Sequence, residues 1–288
     1  HIISVRQPYS WARNMFEVVL PKFNVKHTYI DGRDICNFEE ALQENTTLIY
    51  LESPNSFSFE LQDLEAVGNF ARARGITTII DNSYCTPLFQ NPHAYGIDLC
   101  LHSATKYISG HSDTVAGVIT GSKVRLKKIF DSELSNSGTS LSPFNAWLLL
   151  RGLRTLPIRL KHISESTMAL LPFLKNHPKI AKVIFPFDTD FPQYELARKQ
   201  MTGACGLLTI VLPPVTYEQI EQFATGLKHF LLAVSWGGHE SLVMPKAAGI
   251  RPENYDSSNE EHRMVRLYIG LESVDELRQD LNQALEVI

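Results

Sequence analysis

The feature that most constrains this 288-residue sequence is a rhythm in its first 121 residues. Short apolar runs rich in β-branched residues alternate with helix-like segments. The runs fall at residues 2–5, 27–30, 47–51, 77–80, 99–102 and 115–121. Segments with helical character lie between several of them, at 11–20, 38–43 and 61–74. Leu64, Val67, Phe70 and Ala71 recur at helical spacing on one face. Strands alternating with helices predict a mostly parallel sheet covered on both sides. The style then changes. Ser142 is positioned as an N-cap and Pro143 as a first helical residue, ahead of a long apolar-periodic stretch over 144–174. Pro157 is expected to kink or interrupt that stretch. Shorter strands are expected at 182–185, 207–212, 232–235 and 266–269, and a closing helix at 274–287. The pattern predicts an α/β chain with a large domain over 1–142 and a C-terminal domain over 143–288, the long connecting helix included. His1 to Val5 read as a strand without a lead-in, so the sequence is expected to begin inside a domain.

Composition narrows the function classes. The sequence is 44% hydrophobic and 20% charged, with a net charge of −4. That balance is ordinary for a globular chain and argues against a non-specific nucleic-acid binder. The one basic run, Lys123, Arg125, Lys127 and Lys128, reads as a solvated helix face. The four cysteines form no C-x-x-C pair, which favours a reduced, cytoplasmic protein over a disulfide scaffold. The ten histidines show no H-E-x-x-H or similar spacing, so no metal is expected. No apolar run approaches the roughly 18 residues of a membrane span, and no signal peptide is visible.

In an open parallel sheet, ligands gather at the carboxyl ends of the strands. Two strands here end in reactive residues. The run 77–80 is followed by Asp81-Asn82-Ser83, and 99–102 by Ser103-Ala104-Thr105-Lys106-Tyr107. If the two strands are close, a carboxylate, two hydroxyls and a lysine share one edge. Such a set suits a phosphorylated cofactor with a cationic ring. Pyridoxal 5'-phosphate (PLP) is one: a lysine forms an imine with it, and an acidic residue pairs with its pyridinium nitrogen. Singly, each residue has a commoner explanation, the aspartate as a turn former or cap and the lysine as a solvated charge. The whole string over 81–117 reverses that balance.

That string, DNSYCTPLFQNPHAYGIDLCLHSATKYISGHSDTVAG, closely resembles the cysteine/methionine-metabolism family of PLP enzymes, which includes cystathionine synthases and lyases and methionine γ-lyase. The segment S-A-T-K-Y-x-x-G-H-S-D is highly specific for the family. Tyr9 followed by Leu20-Pro21, Glu52-Ser53-Pro54, RGLRTLPIRL, SWGGHESL and VRLYIGLESVDEL extend the resemblance over essentially the whole chain. It implies fold type I architecture, a mainly parallel sheet of the seven-stranded type between helices, then a smaller α/β domain. It also implies roles. Lys106 is the Schiff-base lysine and the proton carrier, and Asp81 is the partner of the pyridine nitrogen. Ser103 and Thr105 bind the phosphate, and Tyr9 stacks on the ring and assists proton transfer. Ser235 and Arg266 hold the substrate α-carboxylate, the arginine through two parallel N–H···O bonds that lysine cannot copy.

There are departures. The family commonly has E-S-P-x-N-P, whose asparagine contacts the cofactor ring. Here Ser56 occupies that cofactor-binding position and Asn55 lies one place early. Bacterial cystathionine β-lyases look similar in this serine and in the S-W-G-G form of the later motif. Tyr9-Ser10-Trp11-Ala12 replaces the common Y-G-x-T and lacks, at Trp11, the cysteine typical of methionine γ-lyases. The family's N-terminal Y-x-R arm and S-G-M-type loop have no counterpart in these residues.

The resemblance therefore implies a carbon–sulfur lyase for sulfur amino acids, with β-elimination of cystathionine favoured. Gamma-elimination or γ-replacement is the alternative within the family. A catalytically silent homologue serving as a binding or assembly subunit is the alternative from another class. Ser56 and the unmatched arm motivate it, and the joint presence of Lys106, Asp81, Tyr9, Ser235 and Arg266 opposes it. A nucleotide-binding α/β protein would carry G-x-G-x-x-G or G-x-x-x-x-G-K-[ST] after a strand, and neither occurs. The partners implied are an amino-acid substrate and further copies of the chain, as a dimer of dimers, with no nucleic acid and no membrane.

Overall fold

All six runs of the opening rhythm become strands of one sheet. They are β1 (Ile2–Val5), β2 (His27–Ile30), β3 (Leu48–Glu52), β4 (Thr77–Asp81), β5 (Leu99–Ser103) and β6 (Gly117–Gly121), in the order β2-β1-β3-β4-β5-β6. The computed structural model describes residues 1–288. The first five strands are parallel, and β6 runs antiparallel to β5. The sheet has six strands rather than seven. The reversal at β6 has a local reason: residues 104–116 contain no helix, and a parallel return normally needs a helical crossover.

Successive strand residues face opposite sides. Ile3, Val5, Ile49, Leu51, Ile80 and Cys100 bury one side against Phe38 and the helix Leu64–Ala73. Ile2 and Tyr50 bury the other against Phe16, with Leu48, Ile79 and Leu101 partly covered beside them. The expected face of the helix is the buried one: Leu64, Val67, Phe70 and Ala71 are all covered. It starts at Leu64 because Asp63 caps it, accepting from Glu65 N and Ala66 N at 3.1 Å each. The helix expected at 38–43 lies earlier, at Ile35–Glu40, where Asp34 supplies the cap. The segment expected as one helix over 11–20 is composite: an α-turn Ser10–Asn14, a π-turn Met15–Val19 and a 3-10 turn Leu20–Phe23. The basic run lies on the helix Lys123–Ile129, which buries no residue.

A second sheet contains β7 (Lys182–Ile184), β8 (Leu207–Val211), β9 (Leu231–Leu232), β10 (Leu242–Pro245) and β11 (Met264–Tyr268), in the order β7-β8-β11-β10-β9. All pairings are antiparallel except β9 with β10. The strand expected at 232–235 is corrected here. Only Leu231 and Leu232 pair, both exposed, and Ser235 lies beyond them in a loop. An apolar run left in solvent has no burial to hold it in a sheet. Strand β10 was not anticipated. The helices Tyr217–Gly226 and Val274–Ala284 and the end of the long helix cover this sheet, through Ile220, Phe223, Leu277, Leu281, Leu170 and Leu174.

The long helix is continuous from Pro143 to Asn176. Ser142 Oγ accepts from Asn145 N at 3.2 Å, as an N-cap does. Pro157, read as a kink or an interruption, does not interrupt it. A mid-helix proline costs about 3 kcal/mol, whereas a single fully buried leucine or isoleucine contributes about 1.5–3 kcal/mol. This helix buries Leu148, Leu149, Leu156, Leu160 and Ile163 among others, while Pro157 points to solvent. No helix of the chain is long and apolar enough to cross a membrane. All four cysteines are free thiols, and burial pushes Cys100 up to about 11.

The chain divides into two units. Unit 1 comprises His1–Ala104, Val115–Trp147 and Glu195–Thr202. Unit 2 comprises Thr105–Thr114, Leu148–Tyr194 and Gly203–Ile288.

Candidate active site

In unit 1, the strands β3, β4 and β5 end at Glu52, Asp81 and Ser103. The register sets Glu52 beside Asp81 and Asp81 beside Leu101. Asp81 and Ser103 therefore project on the same face of the sheet as Leu101 and Ile79. Just past the strand ends, Asp81 Oδ1 accepts from Ser83 N at 2.9 Å, and Ser83 Oγ accepts from Ser103 N at 2.6 Å. Ser83 thus ties the ends of β4 and β5 together. Tyr50 lies on the same face. Burial first, then the negative charges of Asp81 and Glu52, push its phenol well above the ordinary tyrosine range. Asp81 therefore borders an aromatic, poorly hydrated surface.

Tyr9 precedes the turn Ser10–Asn14, with its side chain 51% exposed. Its backbone N donates to Glu52 Oε2 at 2.7 Å, which fixes the turn to the end of β3. Ser56 is half-buried in the loop after β3. Asn55 is turned into that same loop. Its Oδ1 accepts from Phe57 N, Ser58 N and Phe59 N at 3.2, 3.0 and 2.9 Å, and its Nδ2 donates to Ser58 Oγ at 2.8 Å. It shapes the loop.

Residues Thr105–Thr114 belong to unit 2. Thr105 and Lys106 are half-buried. Lys106 Nζ donates to Ser235 Oγ at 2.7 Å and lies 5.2 Å from the centre of the Trp236 ring. Gly237 has φ +88°, and a Cβ there would stand 2.8–2.9 Å from Lys106 Cα, Lys106 C and Tyr107 N. Both facts demand glycine. Arg266 sits mid-strand on β11, opposite Thr209 and Met244. It is 6% exposed, and its Nη2 donates to Val234 O at 2.6 Å. The loop 234–237 therefore meets Arg266 at one end and Lys106 at the other. Behind Lys106, the long helix receives the following turn. Gly152 leaves room for the carbonyls of Ile108 and Ser109, and Arg159 packs on Gly110, whose N donates to Lys106 O at 2.8 Å.

Of the residues singled out from sequence, the structure joins Lys106 to Ser235 directly, Arg266 to the same loop, and Asp81 to Ser103 through Ser83. Ser83, Trp236 and Gly237 were not singled out. The signal for the last two was the tryptophan and glycines within S-W-G-G. The donor set fits PLP by its chemistry. One amine can join the aldehyde, one carboxylate at a desolvated margin can hold a protonated ring nitrogen, and strand-end hydroxyls can meet a phosphate.

Comparison with known proteins agrees. The family described as Cys/Met metabolism PLP-dependent enzyme matches residues 1–286. A cystathionine gamma-lyase of Dictyostelium discoideum is 33% identical over 289 residues, covering 99% of this chain and 74% of that protein. A cystathionine beta-lyase of Lactococcus lactis is 32% identical over 290 residues, covering 99% and 76%. The crystal structure of cystathionine gamma-lyase from Lactobacillus plantarum, complexed with L-serine, superposes with a TM-score of 0.92 at 30% identity, covering 100% of this chain and 76% of that one. The fold is fold type I α/β, and the cofactor is PLP. The chain belongs to the Cys/Met metabolism family of PLP-dependent enzymes, which acts in trans-sulfuration.

Proposed function

We propose that this enzyme is a carbon–sulfur lyase that cleaves cystathionine by β-elimination, with Lys106 as the lysine that holds the cofactor and moves the proton. The contact of Lys106 Nζ with Ser235 Oγ, on the loop that also anchors Arg266, carries this assignment. Residues 234–237 touch Arg266 at one end and Lys106 at the other, which supports reading the first as carboxylate binder and the second as proton carrier.

Bound PLP supplies an aldehyde and an electron-withdrawing ring, which acidify the Cα–H of an amino acid. The chain's own residues do the rest. Arg266 pairs with the substrate α-carboxylate in two parallel bonds, and Ser235 helps orient it. Asp81 would keep a proton on the ring nitrogen, Ser103 and Thr105 would bind the phosphate, and Ser56 and Tyr9 would help hold the ring. Lys106 Nζ takes the proton from Cα. The Cβ–S bond then breaks and sulfur leaves with its electron pair as a thiolate, which is protonated to homocysteine. Water completes the reaction to pyruvate and ammonia. Gamma-cleavage would require a second proton to leave Cβ, and Lys106 can also take that one. Ser56 and the S-W-G-G form of residues 235–238 favour β-cleavage. Family membership further supports a homotetramer, a dimer of dimers, working in the cytoplasm.

Product analysis with cystathionine tests the assignment. Homocysteine with pyruvate supports β-cleavage, and cysteine with 2-oxobutyrate overturns it in favour of γ-cleavage. No turnover, with an activated homoserine and cysteine consumed instead, indicates a synthase. Lys106→Ala should abolish both turnover and the visible band of the lysine–PLP adduct.

A further inference from the structure

We propose that Trp236 is a positioning residue for Lys106: its indole face stabilises the protonated, cofactor-free form of the Lys106 amine and so sets the pH range in which this lysine works. The inference rests on Lys106 being the lysine that joins PLP.

Lys106 Nζ lies 5.2 Å from the Trp236 ring centre, within the range in which an ammonium is attracted by an aromatic face. Tryptophan is the strongest such partner. The ring cannot drift away. It is 9% exposed and packs on Tyr107 with centroids 5.4 Å apart. Tyr107 is 1% exposed, and its hydroxyl accepts from Gly206 N at 2.9 Å. Its ring in turn meets Tyr268, whose hydroxyl donates to Gly238 O at 2.7 Å. Gly237 presses its own backbone against Lys106. The indole is thus fixed both through the residue after Lys106 and through the glycines that follow Trp236.

The second partner does not favour charge as selectively. Ser235 Oγ accepts from the nitrogen at 2.7 Å in either protonation state. The ring acts on the charged form only, because attraction to the aromatic quadrupole requires a cation. A lysine that has released the cofactor and taken the Cα proton carries that cation, so Trp236 favours the stage just after proton removal. Other ionisable groups border the same loops. Glu240 accepts from Ser112 Oγ at 2.6 Å and lies 3.1 Å from His239 Nδ1. His111 Nδ1 is 2.6 Å from Ser109 O, and Asp113 pairs with Arg151 at 2.7 Å. Arg266 is bonded to Val234 O. None of these is altered by a change confined to the indole, so such a change isolates the ring.

The experiment is the pH dependence of the rate at which PLP forms its visible adduct with the protein. That rate follows the unprotonated fraction of Lys106, so its midpoint reports the basicity of the amine. Trp236→Leu should lower the midpoint by roughly half a unit to one unit, and speed adduct formation below the midpoint by about three- to tenfold. Trp236→Phe should fall between. Tryptophan fluorinated at position 236 alone keeps the shape and weakens the negative face, so the midpoint should drop stepwise with fluorine content. That series decides the matter should the leucine variant fail to fold. A midpoint that stays put across the fluorinated series overturns the inference. An adduct band that survives in Lys106→Ala, or is absent from the wild-type protein, instead overturns the assignment of Lys106 itself.

Discussion

At the end of β4 and β5 and around Lys106, the same kind of polar constellation is held in two different ways. Asp81 is fixed by Ser83, two residues on, and Ser83 reaches the neighbouring parallel strand at Ser103. The whole arrangement follows from a parallel register. Lys106 is held by Ser235, 129 residues away in the chain, and by a glycine at which any side chain would collide with it. The first set is local in sequence and secured by backbone pairing. The second is non-local and secured by close packing. Packed, non-local contacts should therefore fail more severely when a single atom is added.

The largest effect is expected at Gly237. Gly237→Ala adds a Cβ into the backbone of Lys106 and Tyr107 and forces a side chain onto φ +88°. Strain and overpacking together should cost about 4 kcal/mol, read as a drop in the urea midpoint, and adduct formation with PLP should be lost with it.

A test specific to unit 1 comes from His102, on the buried face of β5. It is 5% exposed and its Nδ1 has no partner. Burial first, with a smaller push from His93, lowers it from its ordinary 6.5 to about 4. Between those values the unfolded chain binds a proton that the folded chain does not, so stability falls as pH is lowered through that window. The full window is worth about 3 kcal/mol. Urea unfolding from pH 7 to pH 4 should show this slope, and His102→Gln should flatten it. An unchanged slope in the variant would mean the acid sensitivity lies elsewhere.

A smaller change is expected at Asp280 in unit 2. Its carboxylate accepts from Lys228 N, His229 N and Phe230 N, just ahead of β9. Asp280→Ala leaves those donors without their acceptor and should cost about 2 kcal/mol. The smallest is Asp63→Ala in unit 1, the loss of one helix cap, at about 1 kcal/mol. If Asp63→Ala proves as damaging as Gly237→Ala, the distinction between local and packed regions collapses.

The same distinction explains what could be read from the sequence. Strand β1 falls where its β-branched run predicts it, at Ile2–Val5, because a strand buried on both faces of a parallel sheet is mostly apolar; the edge strand β2, at His27–Ile30, buries only Ile30 and is marked by Thr28, Tyr29 and Ile30, residue types that favour strands. Asp81, Ser103 and Lys106 were legible because one continuous string carries them. Trp236 and Gly237 were not, because nothing in S-W-G-G indicates that it lies against residue 106. In unit 2 residues 232–235 suggested a strand, yet Leu232 and Val234 face solvent, while β10, with its terminal Pro245, pairs with β11. Pro157 misled for the complementary reason. A local rule against proline yields to twelve buried positions along one helix.

The division into units has a consequence for how the chain is made. Unit 1 takes its last piece from Glu195–Thr202, after two excursions into unit 2. Gln200 Oε1 accepts from Leu64 N at 3.1 Å, and Thr202 N donates to Phe89 O at 2.8 Å. A ribosome releasing this protein from its N-terminus has therefore emptied out every strand of the first sheet long before the closing residues appear. The sheet has to wait, half-secured, while most of the long helix and β7 emerge. A translational pause over residues 148–202 is therefore expected to lower the folded yield, because it holds the nascent chain with unit 1 unfinished.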